Sequence, residues 1–529
     1  MYWLKRKPII LTIVMVLAAA VLLTACGPGS TGEGGQADDS PEILYMASAA
    51  PPVMDWDPSI FMSSEITVMA NFYETLLRYN SADNTFTPIL ATDYTKSEDG
   101  LVWTFNIREG VTFHDGSTMD AHDVVWSLDR SKNINKGASF IWDPVAEFKA
   151  LDDYTVQITL EYAAPLDLIV SCCYGAYIMN PEQAEQGLDW FQAGNECGTG
   201  PYMLQSSVPG DEVVMTRHET YWGGWEGKHF DKVVVKQVVE NASRRQMLES
   251  GEADITQNLL IEDMIAMQSN PDLTVYTNSS YMNQIGFYNT QVEPFNNKLV
   301  RQALNYAFPY QDIIDYVYQG FAELPTGPIP TKMWGALDEV TYTYDLEKAK
   351  QLLTEAGYPD GGFDMQLTYM SSKEEHKKIC ELYKSNLEQL GISVEIIGMP
   401  WDQQWEKAKS TDPEDRQDWL IINWWPDVAT PSSWFQSLYH SEDDIIFNMS
   451  YVNNPELDAL IDEADRLSGN DREAAAELYK QCGQLITDEA YSNFLTDLPI
   501  TYIIRNNLKN FSEDPAYPYA LFFYDFYRE

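Results

Sequence analysis

Asp427 closes the segment Trp424-Trp425-Pro426-Asp427, which follows directly on the short apolar run Leu420 to Asn423. A carboxylate at the rim of a strand, in a cleft that sheds water, accepts charge-assisted hydrogen bonds from a cation. The attraction grows as the local dielectric falls. Trp424 and Trp405 offer wide apolar faces with a single N–H donor each. Such faces suit pockets that accept varied side groups. The plain alternatives are an aspartate capping a Pro-containing loop and tryptophans packing a core.

Other chemistries fare worse. The six histidines are scattered, with no HExxH and no clustered pair, so His114 and His122 do not form a metal site. His114-Asp115-Gly116 reads as a turn. No CxxC, GxSxG, Walker loop or GxGxxG in a suitable context occurs. Acidic pairs such as Asp443-Asp444 belong on solvated faces. The expectation is a binding protein with no cofactor, no metal and no catalytic residue; a secreted hydrolase is the disfavoured alternative from another class.

Positioning Asp427 needs an α/β frame. Trp103, Phe105 and Ile107 alternate with polar residues, as do the residues of Thr155 to Leu160, each a period-two strand with one buried face. Ile43 to Ala47 and Val233 to Val239 are further strands. Asp120 can cap a helix through Val124, Val125 and Leu128. Asp345 can cap another carrying Ala349, Leu352 and Leu353, stopped by Gly357. Phe363 to Met370, Lys373 to Leu390 and Ser393 to Ile397 form a βαβ unit with parallel strands. Two long helices follow, Pro455 to Leu467 and Asp471 to Glu489. The chain reads as two α/β lobes, and ligands of open α/β sheets sit at the carboxyl ends of strands.

The 529 residues carry 34 basic and 80 acidic side chains, a formal charge of −46. Such a surface repels nucleic acid and anionic headgroups. Lys5, Arg6 and Lys7 precede an uncharged apolar run from Pro8 to Ala25, the pattern of a secretory signal. Leu23-Thr24-Ala25-Cys26 resembles a bacterial lipobox, which implies lipidation of Cys26 after removal of residues 1–25. Residues 26–42 then serve as a flexible tether rich in Gly, Ser and Thr. Without the signal the balance is 31 basic against 80 acidic, or −49. The compartment permits disulfides, and Cys172 or Cys173 with Cys197 is the most plausible pair. Cys380 and Cys482 fall in helices.

Several stretches in order make the chain recognisable. They are Tyr73-Glu74-Thr75-Leu76-Leu77, Ser97-Glu98-Asp99-Gly100, Phe113-His114-Asp115-Gly116, Ala121-His122-Asp123-Val124-Val125, Gly198-Thr199-Gly200-Pro201-Tyr202, Val300-Arg301-Gln302-Ala303 and Asn454-Pro455-Glu456-Leu457-Asp458. Together they resemble the family 5 extracellular solute-binding proteins, the peptide, oligopeptide and nickel receptors of ABC importers. The resemblance implies a class II periplasmic-binding-protein fold of the large, three-segment type. Lobe I would comprise 43–75, 200–284 and 498–529, with a subdomain at 76–199 inserted in it. Lobe II would be 285–497, hinged near Gln284 to Phe287 and Asp497 to Ile500.

The same resemblance implies roles. Asp427 would pair with the α-ammonium of a peptide, with Trp424 and Trp405 lining side-chain pockets and Trp425 beside them. Phe61, Met62 and Ser63 would offer backbone to an extended peptide by strand addition. Tyr281 and Asn283, just before the hinge, are further candidates for ligand contact. No basic residue stands in the Leu420 to Asp427 strand to meet a peptide carboxylate, which favours oligopeptides over dipeptides. Arg301 is assigned to lobe structure. The implied function is capture of a peptide by a monomer, lipid-anchored at the outer face of the cell membrane, for an ABC permease and its ATPase subunits. An oligosaccharide is the alternative ligand, and a nickel chelate a weaker one.

Overall fold

A computed structural model describes residues 41–62 and 65–529, so Cys26, the tether and Ser63 lie outside the described residues. No helix among the described residues is long and apolar enough to cross a membrane.

Two long strands organise the protein: Leu273–Tyr288 and Ser492–Arg505, paired antiparallel over most of their length. They lie at the centre of a ten-stranded sheet. On one side of the pair come Ile255–Gln257, Ile43–Ser48, Lys232–Gln237, Glu212–Arg217 and Tyr202–Val208. On the other come Trp419–Trp424, Asp364–Met370 and Ser393–Met399. The first set falls within the residues expected for lobe I and the second within those expected for lobe II, and the pair joins the two sets in one sheet. Its register shifts between Ser279 and Met282 and again between Gln284 and Ile285. Such irregularities bend a strand and loosen pairing.

The inserted segment forms a hairpin, Leu77–Asn80 with Thr85–Pro88, and a separate four-stranded antiparallel sheet. Trp103 and Phe105 point into its core, as alternation requires. Asp120 caps the helix Ala121–Asn133 by accepting from His122 and Asp123 N–H groups, and Asp123 returns the bond to the Asp120 N–H. In lobe II, Asp345 caps Leu346–Glu355, and Gly357 and Gly391 end their helices with φ of +95° and +78°. The strands Asp364–Met370 and Ser393–Met399 are parallel around the helix Glu374–Gln389. The strand expected to reach Val239 stops at Gln237, and Val239 is exposed.

The expected clip between Cys173, or Cys172, and Cys197 is corrected. All five described cysteines are free and buried. Cys172 Sγ lies 3.1 Å from the Tyr174 carbonyl oxygen and accepts from the Tyr174 N–H at 3.3 Å. Cys173 and Cys197 sit against Tyr177 and Tyr73, whose rings pack 5.8 Å apart. Sequence spacing permitted the bridge, but each thiol instead faces a tyrosine hydroxyl, Cys173 that of Tyr177 and Cys197 that of Tyr73.

His114, set in a turn, has a structural task. Its Nδ1 and Nε2 face Glu196 Oε2 at 2.6 Å and the Gly200 carbonyl at 3.0 Å, so both nitrogens donate and the ring is an imidazolium. Burial pulls its pKa down, but Glu196 and the Gly200 carbonyl more than offset this and raise it overall. Burial pushes the Glu196 carboxyl up, but His114 and two backbone N–H groups hold it below its ordinary value. The pair's stabilisation is lost as pH falls through the depressed Glu196 pKa, and again as pH rises through the raised His114 pKa. Removing one partner strands a buried charge. His114→Ala is expected to cost about 3 kcal/mol in urea unfolding at pH 7; a loss under about 0.5 kcal/mol would contradict the ion-pair assignment.

Candidate functional site

Asp427 stands just beyond the carboxyl end of Trp419–Trp424, whose pairing with Leu273–Tyr288 runs from Asn283 opposite Trp424 to Tyr288 opposite Trp419. That pairing fixes the strand end, and Pro426 stiffens the step to Asp427. The facing wall comes from the inserted subdomain. Cys172 donates from Sγ to the Asp427 backbone carbonyl at 2.9 Å. Tyr174 lies beyond it with its ring 5.7 Å from that of Phe61. Burial, and to a lesser degree the Asp427 charge, push both the Cys172 thiol and the Tyr174 phenol well above their ordinary ranges.

The carboxyl group itself accepts no hydrogen bond from any described residue, and no cation faces it. It is half-buried. Burial alone pushes its pKa up to about 7. A carboxylate left without a partner is costly, and this one is placed to gain from an incoming cation.

An aromatic row leads outward from it. Trp424 is fixed by donating its Nε1–H to the Ser433 carbonyl at 2.8 Å. Phe447 lies 5.3 Å from Trp424 and 5.3 Å from Trp405. Trp401 stacks on Trp405 at 4.9 Å and is 39% exposed. The row therefore runs from the neighbourhood of Asp427 to solvent.

The other sequence candidates are distributed differently. Trp425 is 41% exposed and packs on no other aromatic ring among the described residues. Phe61 is 2% exposed, wedged between Tyr174 and Tyr177. Met62 is half-buried against the core. Tyr281 is buried beside Tyr79, and its backbone N–H bonds Pro515. Asn283 is fully buried, donating to the Pro328 carbonyl and accepting from Trp434 Nε1–H, each at 3.0 Å. The polar groups of Asn283 are thus spent inside the protein, and it and Tyr281 stiffen the crossover strand and face no solute. Arg301 donates to the carbonyls of Phe295, Glu489 and Ala490 and holds lobe II.

Trp401 escaped the sequence reading, although it lies one helical turn before Trp405 and so shares its face. Cys172, Tyr174 and Phe447 gave no local signal. Among the described residues no group of three potential metal ligands stands together.

This two-lobed α/β fold with an inserted subdomain is that of the large periplasmic solute-binding proteins. The family described as bacterial extracellular solute-binding proteins, family 5 Middle, matches residues 85–445, and the chain belongs to it. Heme-binding protein A of Haemophilus influenzae is 28% identical over 515 residues, covering 90% of this chain and 92% of that one. The glutathione-binding protein GsiB of Salmonella paratyphi A is 29% identical over 429 residues, covering 80% and 82%. Among solved structures, the Helicobacter pylori ABC transporter-associated periplasmic binding protein DppA, in complex with the peptide STSA, superposes with a TM-score of 0.77 at 25% identity, covering 92% and 98%.

The unpaired Asp427 carries a cost that depends on pH. Its folded pKa, about 7, lies above the unfolded value of about 3.9. The folded state therefore gains a proton that the unfolded state does not as pH falls from 8 to 5, and stability rises. Asp427→Asn removes the charge. It is expected to stabilise the ligand-free protein at pH 8 by about 1–2 kcal/mol and to make little difference at pH 5. Melting curves at the two pH values decide this; a destabilised Asn variant at pH 8 would show that the carboxylate has a partner in the fold.

Proposed function

We propose that this protein is the solute receptor of an ABC importer and that it captures peptides, oligopeptides in preference to dipeptides. The observation that carries the reading is the Asp427 carboxylate: desolvated, unpartnered and at a strand end between lobe II and the inserted subdomain. An α-ammonium would supply the missing charge and up to three donors. The aromatic row through Trp424, Phe447, Trp405 and Trp401 would take side chains further along the ligand, giving broad apolar affinity with little demand on sequence. The lobes would close by bending the crossover pair where its register shifts, near Ser279 to Ile285. The lipid on Cys26 would hold the receptor near its permease, raising its effective concentration there.

Two relatives support this directly. The DppA neighbour holds a tetrapeptide. Glutathione, in the name of another relative, also carries an α-ammonium. The aromatic row alone would suit an oligosaccharide, but the desolvated carboxylate would then lack a countercharge.

Calorimetry tests the reading with the peptide Ser-Thr-Ser-Ala, its N-acetylated form, glutathione and maltotriose. A free-amine peptide is expected to bind, acetylation or Asp427→Ala to weaken it at least tenfold, and maltotriose to give no heat. Equal affinity for the acetylated peptide, or binding of the sugar alone, would refute the peptide mechanism.

A further inference from the structure

We propose that the inserted subdomain works as a latch, holding lobe II in the closed position through a seam of direct contacts between the two. The inference rests on the hinged closure proposed above and not on which solute is bound.

Four contacts cross from the inserted subdomain to lobe II. Asp167 Oδ1 meets Arg472 Nη2 at 2.9 Å, the two side chains 13% and 28% exposed. Lys96 Nζ donates to the Gly469 carbonyl at 2.6 Å. Asn470 Nδ2 donates to the Asp99 carbonyl at 3.0 Å. Cys172 donates to the Asp427 carbonyl, so the seam reaches the candidate binding residue itself. The Arg472 guanidinium also lies near the rings of Phe86, from the inserted hairpin, and Trp334, from lobe II, at 5.9 and 5.7 Å.

Charge explains why such a seam is useful. With 80 acidic residues against 34 basic, closing brings together two surfaces that repel. Lys96 and Arg472 place one cation on each side of the seam, each satisfied by an acceptor from the opposite side.

Gly469 points to closure most directly. Its φ and ψ of −75° and −24° suit any residue, so its own backbone does not call for glycine. A Cβ there would nonetheless sit 2.5 Å from the Ala164 carbonyl oxygen and 2.7 Å from the Ala164 carbonyl carbon and nitrogen. These are backbone atoms of the inserted subdomain and cannot swing aside. A methyl at Gly469 is thus harmless when the lobes are apart and clashes only when they meet. Gly100 lies close on the other side, where a Cβ would stand 2.0 Å from Asn470 Oδ1, but its φ of +71° already calls for glycine and the Asn470 side chain can move, so Gly469 alone carries the argument.

The test is energy transfer between dyes at Lys149→Cys and Glu477→Cys, two exposed sites on either side, with and without a tryptic digest of casein. The five described native cysteines are buried. Wild type is expected to take the short dye spacing in a measurable fraction of molecules. Gly469→Ala and Asp167→Arg should lower that fraction at least threefold, with melting temperatures within about 2 °C of wild type, since with the lobes apart both positions face solvent. The charge swap Asp167→Arg with Arg472→Asp should restore it, which a variant that merely folds poorly could not do. A wild-type chain that never takes the short spacing, or variants that take it as often as wild type, would overturn the latch. A digest that shifts neither wild type nor variants would count against peptide capture alone, since the ligand-free difference between wild type and Gly469→Ala still decides the latch.

Discussion

The antiparallel pair Leu273–Tyr288 and Ser492–Arg505 is the constraint on which the rest depends. Each lobe takes its central strands from this one pair. In the closure proposed above, the position of Asp427 relative to Phe61 and Tyr174 would be set by how these strands bend at the register breaks around Ser279 to Ile285. Asn283 and Trp434 brace the segment just beyond the first break with buried hydrogen bonds. Closure as proposed would thereby be directed into a narrow set of positions, bringing the carboxylate at the end of the neighbouring strand to the same place each time.

That carboxylate is half-buried and stands without a partner among the described residues. Asp57 is held by Arg130 at 2.6 Å, and Glu196 by His114, whereas buried Asp497 accepts from the Thr331 N–H and leaves its other oxygen without a partner. Asp427 has neither a cation nor a hydrogen bond from its surroundings. Local exceptions of this kind mark sites where stability has been given up for function. The aromatic row beside it adds area without selectivity, which suits a receptor for ligands sharing one charged end and little else.

Much of the frame was legible in the sequence because its signals are local. Asp120, Asp345 and Asn454 each carry their capping bonds on the expected helices, and the alternation of Trp103, Phe105 and Ile107 gave a strand with one buried face. The family resemblance supplied the fold, and the position of Asp427 after an apolar strand drew attention to it. What escaped was non-local. The Cys172 contact to Asp427 joins residues 255 apart. The spacing of Cys173 and Cys197 gave no hint of the tyrosine hydroxyls that their thiols face. Asn283 looked like a ligand donor because a buried amide and an exposed one read alike in sequence. Trp405 was singled out alone, although helical periodicity could have added Trp401.

The central claim is that Asp427 receives a cation from the ligand. At pH 6 a free carboxyl with a pKa of about 7 is mostly protonated, and an ammonium ligand must drive that proton off. Calorimetric titration of Ser-Thr-Ser-Ala at pH 6, in two buffers of different ionisation enthalpy, counts the protons released on binding. The account predicts close to one proton released per ligand at pH 6, none released by Asp427→Asn at that pH, and a change to net uptake near pH 8, where the partly deprotonated peptide amine must regain its proton. Binding at pH 6 with no proton released would contradict it.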